Sequence, residues 1–547
     1  LKRLLLALIF YSNFIHAQHV LVKKWDYRYG GNNWEGMRNI IQTADKGFIW
    51  GGSAYSGLNG DFSEANRNSL NTTNDYWIVK VDSLGIKQWD KRYGGVESEY
   101  FRYISQTNDG GFIIGGFSDS DSGWDRSEAT RGSLDYWIVK IDCCGNKQWD
   151  KRFGGADDDL LWEVKQTMDG GYILGGFSHS GIGGDRTEAS WGHQDYWIVK
   201  TDSLGNKIWD KRYGGGASDN FYSLVQANDG GYILAGSSIP GLGGDYSTPG
   251  NGNLDYWVVK IDSVGNKQWD KSYGGYHTED LGCVIKTSDG NFLLGGISNS
   301  GVDGNKSAPS KGLNDYWIIK IDPMGSIIWD KAFGGFGGEI LVGNMDLTTD
   351  NGFLIGGLTY SIAGGDKTEN NLGLVQPWIV KIDYFGNLEW EKTMLVPGKN
   401  NLSMGGFVIQ SSDRCFVSAN NLNGGVGGYR TQPNWDVTDS TYDQWVVKFC
   451  DTILFTSVNN SSDIQNQLSI FPNPFVAEIT VSFNKKECKN MDVVIRNILG
   501  EIIFQDQSFN RASASVKRLD LGLLLKGIYF LETNADGERS VRKIVKQ

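Results

Sequence analysis

A chain of 547 residues with 39% hydrophobic and 21% charged residues, 74 Gly and 9 Pro is too apolar for a disordered tail and has the composition of neither a collagen nor a coiled coil. Its net charge of −12 disfavours nucleic acid and anionic membrane surfaces as partners. Glycine stands at about twice its usual share of roughly 7% without low complexity, which points to many tight turns and so to many short strands.

At the start of the chain, Lys2 and Arg3 precede an apolar stretch from Leu4 to Tyr11, and the segment closes on His16, Ala17 and Gln18. This three-part order predicts a secretory signal peptide over residues 1–17. The stretch is too short to span a bilayer, and no later run of about 18 apolar residues offers a transmembrane segment. Val22 to Tyr29 then reads as a lone strand of the type that ends each later repeat.

From there two phrases recur. Asp-Tyr-Trp, two aliphatic residues and Lys place a tryptophan at Trp77, Trp137, Trp197, Trp257 and Trp317, and in weaker form at Trp378 and Trp445. Trp-Asp-Lys-Arg-Tyr-Gly-Gly and its variants place another at Trp25, Trp89, Trp149, Trp209, Trp269, Trp329 and Trp390. Seven of each phrase means seven units. Asp-Gly and Gly-Asn turns divide a unit into four antiparallel strands, the content of a propeller blade. The chain opens on a lone fourth strand and ends its repeats on a three-strand set, so the N-terminal strand is expected to complete the last blade and protect the join from edge pairing. Glycine is expected in the Asp-Gly-Gly turn, after the second strand, in the Gly-Asn turn and after the fourth strand.

Positions that repeat in every unit serve the fold, so site residues are sought where the repeat breaks. Trp124, Trp191 and Trp435 fall in the long loops between second and third strands, and Trp34 and Trp162 are placed at connections between units. All five are expected on one face, where exposed aromatic rings suit sugars or protein surfaces; packing of long loops onto the blade tops is the alternative. The loops exceed usual hairpin lengths, which favours a functional role. Six acids, Glu35, Glu99, Asp159, Asp219, Glu279 and Glu339, lie four residues past each Gly-Gly pair and are expected around the channel mouth. They would either fix the ring through hydrogen bonds or hold a cation such as calcium. Asp119, Asp121 and Asp125 resemble a calcium loop only loosely. No catalytic motif of the nucleophile-elbow, zinc or Walker type is present, so no catalytic residue is assigned and no cofactor is expected beyond possible calcium. Cys415 and Cys450 border neighbouring strands of the last unit and are placed to form a disulfide.

Asp451 to Asn466 is rich in Asn, Ser and Asp and reads as a linker, residues 451–466. Beyond it come Leu468-Ser-Ile-Phe-Pro-Asn-Pro474, the turn Leu499-Gly500, the strand Gly527-Ile-Tyr-Phe-Leu531 and a basic terminal strand from Val541 to Lys546. Their period-two alternation predicts a small β-sandwich over 467–547. Occurring together in order, they closely resemble the type A C-terminal sorting domain of type IX secretion substrates of Bacteroidota. That resemblance implies export across the outer membrane, with the secretion machinery and a sorting peptidase as partners, and a protein either released or held at the cell surface. The repeats themselves resemble uncharacterised propellers found among such substrates. The expected fold is thus all-β, a seven-bladed propeller over 18–450 followed by a sandwich. The expected function is recognition of a glycan or protein through the long-loop face, and a polysaccharide-degrading hydrolase or lyase is the alternative.

Overall fold

The computed structural model describes residues 18–239, 243–247, 249–341, 343–397, 404–438, 440–454, 468–483, 490–497, 502–510, 516–522, 524, 526–535 and 538–546. The expected signal peptide, most of the expected linker and Cys488 lie outside them. The chain separates into two compact units, one spanning His19–Thr452 and the other built from Ile453 onward. Every regular element among the described residues is a β-strand.

In the larger unit the third strand of each repeat organises the packing. Asp75–Val81, Asp135–Ile141, Asp195–Thr201, Asp255–Ile261 and Asp315–Ile321 are buried at every position. A strand covered on both faces needs no polar alternation, which is why Tyr-Trp-Ile-Val reads as a continuous apolar run. Each pairs antiparallel with the second strand on one side and the fourth on the other, and the first strand lies outside the second. The second strand of the next repeat shows why the sequence is so rich in glycine. Gly115 and Gly116 lie inside Phe112–Ser118 rather than after it. A side-chain carbon on Gly116 would stand 2.0 Å from the Tyr100 carbonyl oxygen and 2.6 Å from the Tyr76 hydroxyl. This pair is therefore selected for close approach rather than for turning the chain, contrary to the expectation from sequence.

Seven such antiparallel sheets form among the described residues of this unit, consistent with propeller blades. Neighbouring sheets are joined through tyrosine and tryptophan. Tyr76 packs on Trp137 at 4.9 Å between ring centroids, Tyr136 on Trp197 at 4.7 Å, Tyr196 on Trp257 at 4.9 Å and Tyr256 on Trp317 at 5.0 Å. Their hydroxyls donate to the carbonyl of the same tryptophan, as from Tyr136 to Trp197 at 2.9 Å. The indole N–H groups are satisfied within the sheet: Trp77, Trp137 and Trp317 each donate at 3.0 Å to the Asp of their own fourth strand, Asp90, Asp150 and Asp330.

The last sheet takes its fourth strand from the start of the chain. Gln18–Tyr29 lies beside Asp443–Leu454, and Trp445 donates to Asp26 at 3.1 Å, the same bond across 419 residues of sequence. The third strand of this sheet runs to Leu454, past the expected boundary at 450, and a disulfide ties Cys450 to Cys415 with Cα atoms 4.2 Å apart. The C-terminal unit is two sheets, one of Leu468–Phe471, Glu478–Phe483 and Val516–Asp520, the other of Asn490–Arg496, Ile502–Asn510, Gly527–Ala535 and Glu538–Lys546. Ile479, Val481 and Leu519 from one meet Val493, Leu531 and Ile544 from the other in a single apolar cluster.

Candidate functional site

The six acids at the starts of the first strands are fully buried, so they form no open ring. Each accepts the backbone N–H of the second glycine of the preceding pair: Gly31 to Glu35 at 2.9 Å, Gly95 to Glu99 at 3.1 Å, Gly155 to Asp159 at 2.7 Å, Gly215 to Asp219 at 2.8 Å, Gly275 to Glu279 at 2.8 Å and Gly335 to Glu339 at 3.3 Å. The donors come from the connection that enters the acid's own unit, rather than from across a neighbouring blade as expected. Hydroxyls at the end of the second strand complete the shell, Ser118 on Glu99 at 2.8 Å and Ser298 on Glu279 at 2.7 Å.

Their partners are acids that the sequence reading passed over: Asp75, Asp135, Asp195, Asp255, Asp315 and Asp443, which open the third strands and are equally buried. A side-chain carbon on Gly94 would lie 2.2 Å from Asp75 Oδ1 and 2.5 Å from Glu99 Oε2, so a missing Cβ lets carboxyl groups of adjoining units meet. Gly30 stands likewise between Asp443 and Glu35, Gly214 between Asp195 and Asp219, Gly274 between Asp255 and Glu279, and Gly334 between Asp315 and Glu339. The Oδ1 atoms of all six Asp are buried without a hydrogen-bond partner. Two buried carboxyls this close do not both ionise. Burial, reinforced by the facing acid, pushes Glu35 and Glu99 up to about 8. Burial likewise raises Asp443 to about 7 and Asp135 and Asp255 to about 6.

The seventh joint is different. Gln376 replaces the Asp, and its amide accepts the Val396 N–H at 2.7 Å and donates to the Val396 carbonyl at 3.2 Å. The last unit lacks the Gly pair and its acid, and Gln376 precedes that same joint, so the sequence did contain the signal. Among the described residues no three His, Cys, Asp or Glu side chains are grouped to hold a metal ion. The carboxylates of the 118–125 loop go separate ways: Asp119 caps the Ser98 N–H at 2.6 Å, while Asp125 binds Arg67 at 2.9 Å.

Three of the five candidate tryptophans are exposed on the long loops, each beneath an arginine. Trp124 is 69% exposed with Arg67 at 5.6 Å, and Trp191 is 59% exposed with Arg212 at 4.8 Å. Trp435 lies under Arg28 at 4.1 Å and donates to Asp61 at 2.9 Å. Trp34 packs edge-on against Tyr55 at 5.9 Å. Trp162 corrects the expectation: the first strand Asp159–Gln166 begins at the acid, so Trp162 sits three residues inside it. Among the described residues no two of the five are in ring contact.

Trp162 instead faces a cavity of about 360 Å³ lined by residues from the first-strand segments of all seven sheets. The first strands share one irregularity, a β-bulge that shifts register around a single residue. A bulge re-aims a side chain. The bulged residues are Arg38, Arg102, Trp162, Tyr222, Gly282 and Gly406, and in the sixth unit the first strand is broken between Ile340 and Met345. Arg38, Arg102, Trp162, Tyr222 and Gly282 line the cavity. Geometry here repeats while residue type does not, which separates this position from the acids and the core tryptophans.

The cavity chemistry is uneven. Arg38 and Arg102 have no hydrogen-bonded or ionic partner among the described residues, and Arg102 Nε is buried without one. Arg102 stacks over Trp162 at 3.8 Å, and Trp162 packs edge-on against Tyr222 at 5.8 Å. Burial first, then the Arg38 charge, presses the Arg102 guanidinium below its ordinary value. The acids of the cavity are engaged: Glu163 pairs with Lys165 at 2.6 Å, and Asp280 accepts the Ser237 hydroxyl at 2.8 Å. The bulge was invisible in sequence, but the sequence Arg, Arg, Trp, Tyr, Gly at one repeat position was a signal within reach.

Residues 469–547 match the family described as Secretion system C-terminal sorting domain. The chain therefore carries a type IX sorting tail and is secreted or attached at the outer surface. No helix among the described residues is long and apolar enough to cross a membrane. Regulatory protein FlaEY of Caulobacter vibrioides is 29% identical over 131 residues, 23% of this chain, and the chain spans 14% of that protein. Among solved structures, a protein of unknown function from Bacteroides caccae is similar with TM-score 0.32 at 10% identity, over 58% of this chain and 89% of that one. The extracellular domain of BT3049 from B. thetaiotaomicron, assigned to the hybrid two component systems, gives 0.24 at 9% identity over 93% and 72%. Puromycin hydrolase gives 0.41 at 8% identity over 84% and 64%.

Proposed function

We propose that the larger unit is a closed seven-bladed β-propeller and that the protein is an exported binding protein whose ligand enters the central cavity. Ring closure is supported by first strands that touch in succession, ending with Met404–Gln410 against Glu35–Gln42. One observation carries the binding reading. At the bulge of the first strand five units turn the same position into the cavity, and there the repeat gives way to unlike residues, Arg38, Arg102, Trp162, Tyr222 and Gly282. A cavity of this size is at the low end for small-molecule sites, which combine apolar walls with a few placed polar groups. The engaged state of Glu163 and Asp280 favours binding over glycoside hydrolysis, which needs a free acid and a free base or nucleophile.

The long-loop tryptophans support a second contact, for the part of a larger glycan or protein ligand that stays outside. Their exposure and their partnering by arginine favour it, since aromatic and arginine side chains are enriched in recognition surfaces. The test is a glycan and protein array probed with the mature chain and with Trp162→Ala. A ligand whose binding is lost in that variant supports the cavity. A ligand bound equally by both, and lost in the Trp124→Ala, Trp191→Ala, Trp435→Ala triple variant, would move the site to the loops.

A further inference from the structure

The two unpaired arginines define what the cavity takes. Resting on the reading of the cavity as the binding site, we propose that Arg38 and Arg102 form an anion subsite and that the ligand is a ring bearing one carboxylate, of the size of a hexuronate. Arg38 and Arg102 occupy the bulges of adjacent first strands, Glu35–Gln42 and Glu99–Gln106, which lie against each other. The fold therefore turns two guanidiniums into one space. Like charges brought together in a partly enclosed site are unfavourable unless an anion joins them. Elsewhere in the larger unit arginines meet an acid or a carbonyl, as Arg67 with Asp125, Arg92 with Asp75, and Arg126 and Arg186 with the carbonyls of Glu128 and Glu188. Arg38 and Arg102 have neither among the described residues, and planar guanidinium forks suit a carboxylate.

Charge sets the valence. Arg38, Arg102 and Lys165 face Glu163 and Asp280 around the cavity, leaving one positive charge to be balanced. A monoanion meets that need, and a phosphate dianion exceeds it. The remainder of the ligand is set by the wall beside the arginines. Trp162 and Tyr222 offer aromatic surface, against which the face of a sugar or other six-membered ring packs with little side-chain entropy lost. Gly282, at the corresponding bulge in the fifth unit, adds no side chain, which leaves room for the ring.

Calorimetry on the mature full chain would use three probes: a mixture of glucuronate, galacturonate and mannuronate; glucose as the neutral ring; and benzoate as a carboxylate without sugar hydroxyls. The hexuronates should bind with saturation, at least tenfold tighter than glucose, and lose at least tenfold in Arg38→Met and in Arg102→Met. Arg102→Lys should recover part of that loss, and melting temperatures identify any variant that fails to fold. Benzoate binding as tightly as the hexuronates, with the same arginine dependence, would support the carboxylate and assign the ring to an aromatic acid. Glucose binding as tightly as the hexuronates, or arginine variants within twofold of the parent, would overturn the anion subsite. The cavity itself would still stand if Trp162→Ala abolished that binding. No binding of any probe at millimolar concentration would overturn the proposed ligand class, leaving the cavity to the array experiment.

Discussion

Six joints between sheets hold a buried pair of acids, whereas the seventh sets Gln376 against the backbone of Val396. The neighbouring residue follows in part: Tyr76 and four equivalents pack on the tryptophan of the next sheet, Gln444 takes that place beside Asp443 and accepts the Trp50 N–H, and Pro377 occupies it in the seventh joint. The difference teaches what the acids do. Where both are present they stay buried, with the first-strand acid held by a glycine N–H. Where both are missing, an amide supplies the donor and acceptor that a lone carboxyl could not supply without holding its proton.

The largest effect should come from removing an aromatic at an acid joint. Trp257→Ala is expected to cost about 3–5 kcal/mol in denaturant unfolding, because it empties the space beneath Tyr196. Trp445→Ala, which has no tyrosine of this type across its joint, should cost less by about 0.5–1.5 kcal/mol, the worth of an aromatic pair. Equal losses would break the comparison. Next, replacing Cys415 and Cys450 together by Ala removes the cross-link of the sheet that takes its strand from the N-terminus. A loss of about 2–4 kcal/mol is expected under non-reducing conditions.

Gln376→Glu tests the amide directly. A carboxylate there would face the Val396 carbonyl without a proton to donate, and stability at neutral pH should fall by about 1–3 kcal/mol. The loss should shrink as the pH is lowered and the new acid takes up a proton. The acid pairs make a prediction of the same sign for the parent protein. Unfolded glutamates release their protons near 4.5, whereas Glu35 and Glu99 hold theirs to about 8 in the folded chain. Between those values the folded state binds more protons at these two groups, so their contribution to stability is full below the unfolded value and is lost as the pH rises to about 8. Glu99→Gln should flatten that decline in melting temperatures measured from pH 5 to 9. The smallest effect belongs to the rim: Trp124→Ala should change stability by less than about 0.5 kcal/mol, and its consequence, if any, should show in ligand binding alone.

Much of this fold was legible in the repeats. The strand phase of the lone N-terminal segment anticipated its place beside Asp443–Leu454, because a strand without a partner and a three-strand sheet are complementary defects. The sorting tail was legible as well, since its motifs lie close in sequence. The site was not. Trp162 stands out from its neighbours but reads as part of a connection, because period-two patterning cannot reveal that the strand already begins at Asp159 or carries a bulge. The glycines inside the second strands read as turn residues in sequence, because the carbonyl of Tyr100 that presses on Gly116 comes from another strand.

Sequence alone determined the number of units, their strand content, their phase and the address carried by the C-terminal tail. These are written in local periodicity and repeat identically whatever surrounds them. Only the tertiary structure decided that Asp75 meets Glu99 across Gly94, and that Arg38, Arg102, Trp162 and Tyr222 share one cavity. Residues of different units become neighbours only when the sheets pack against one another, and no pattern within one unit records that packing.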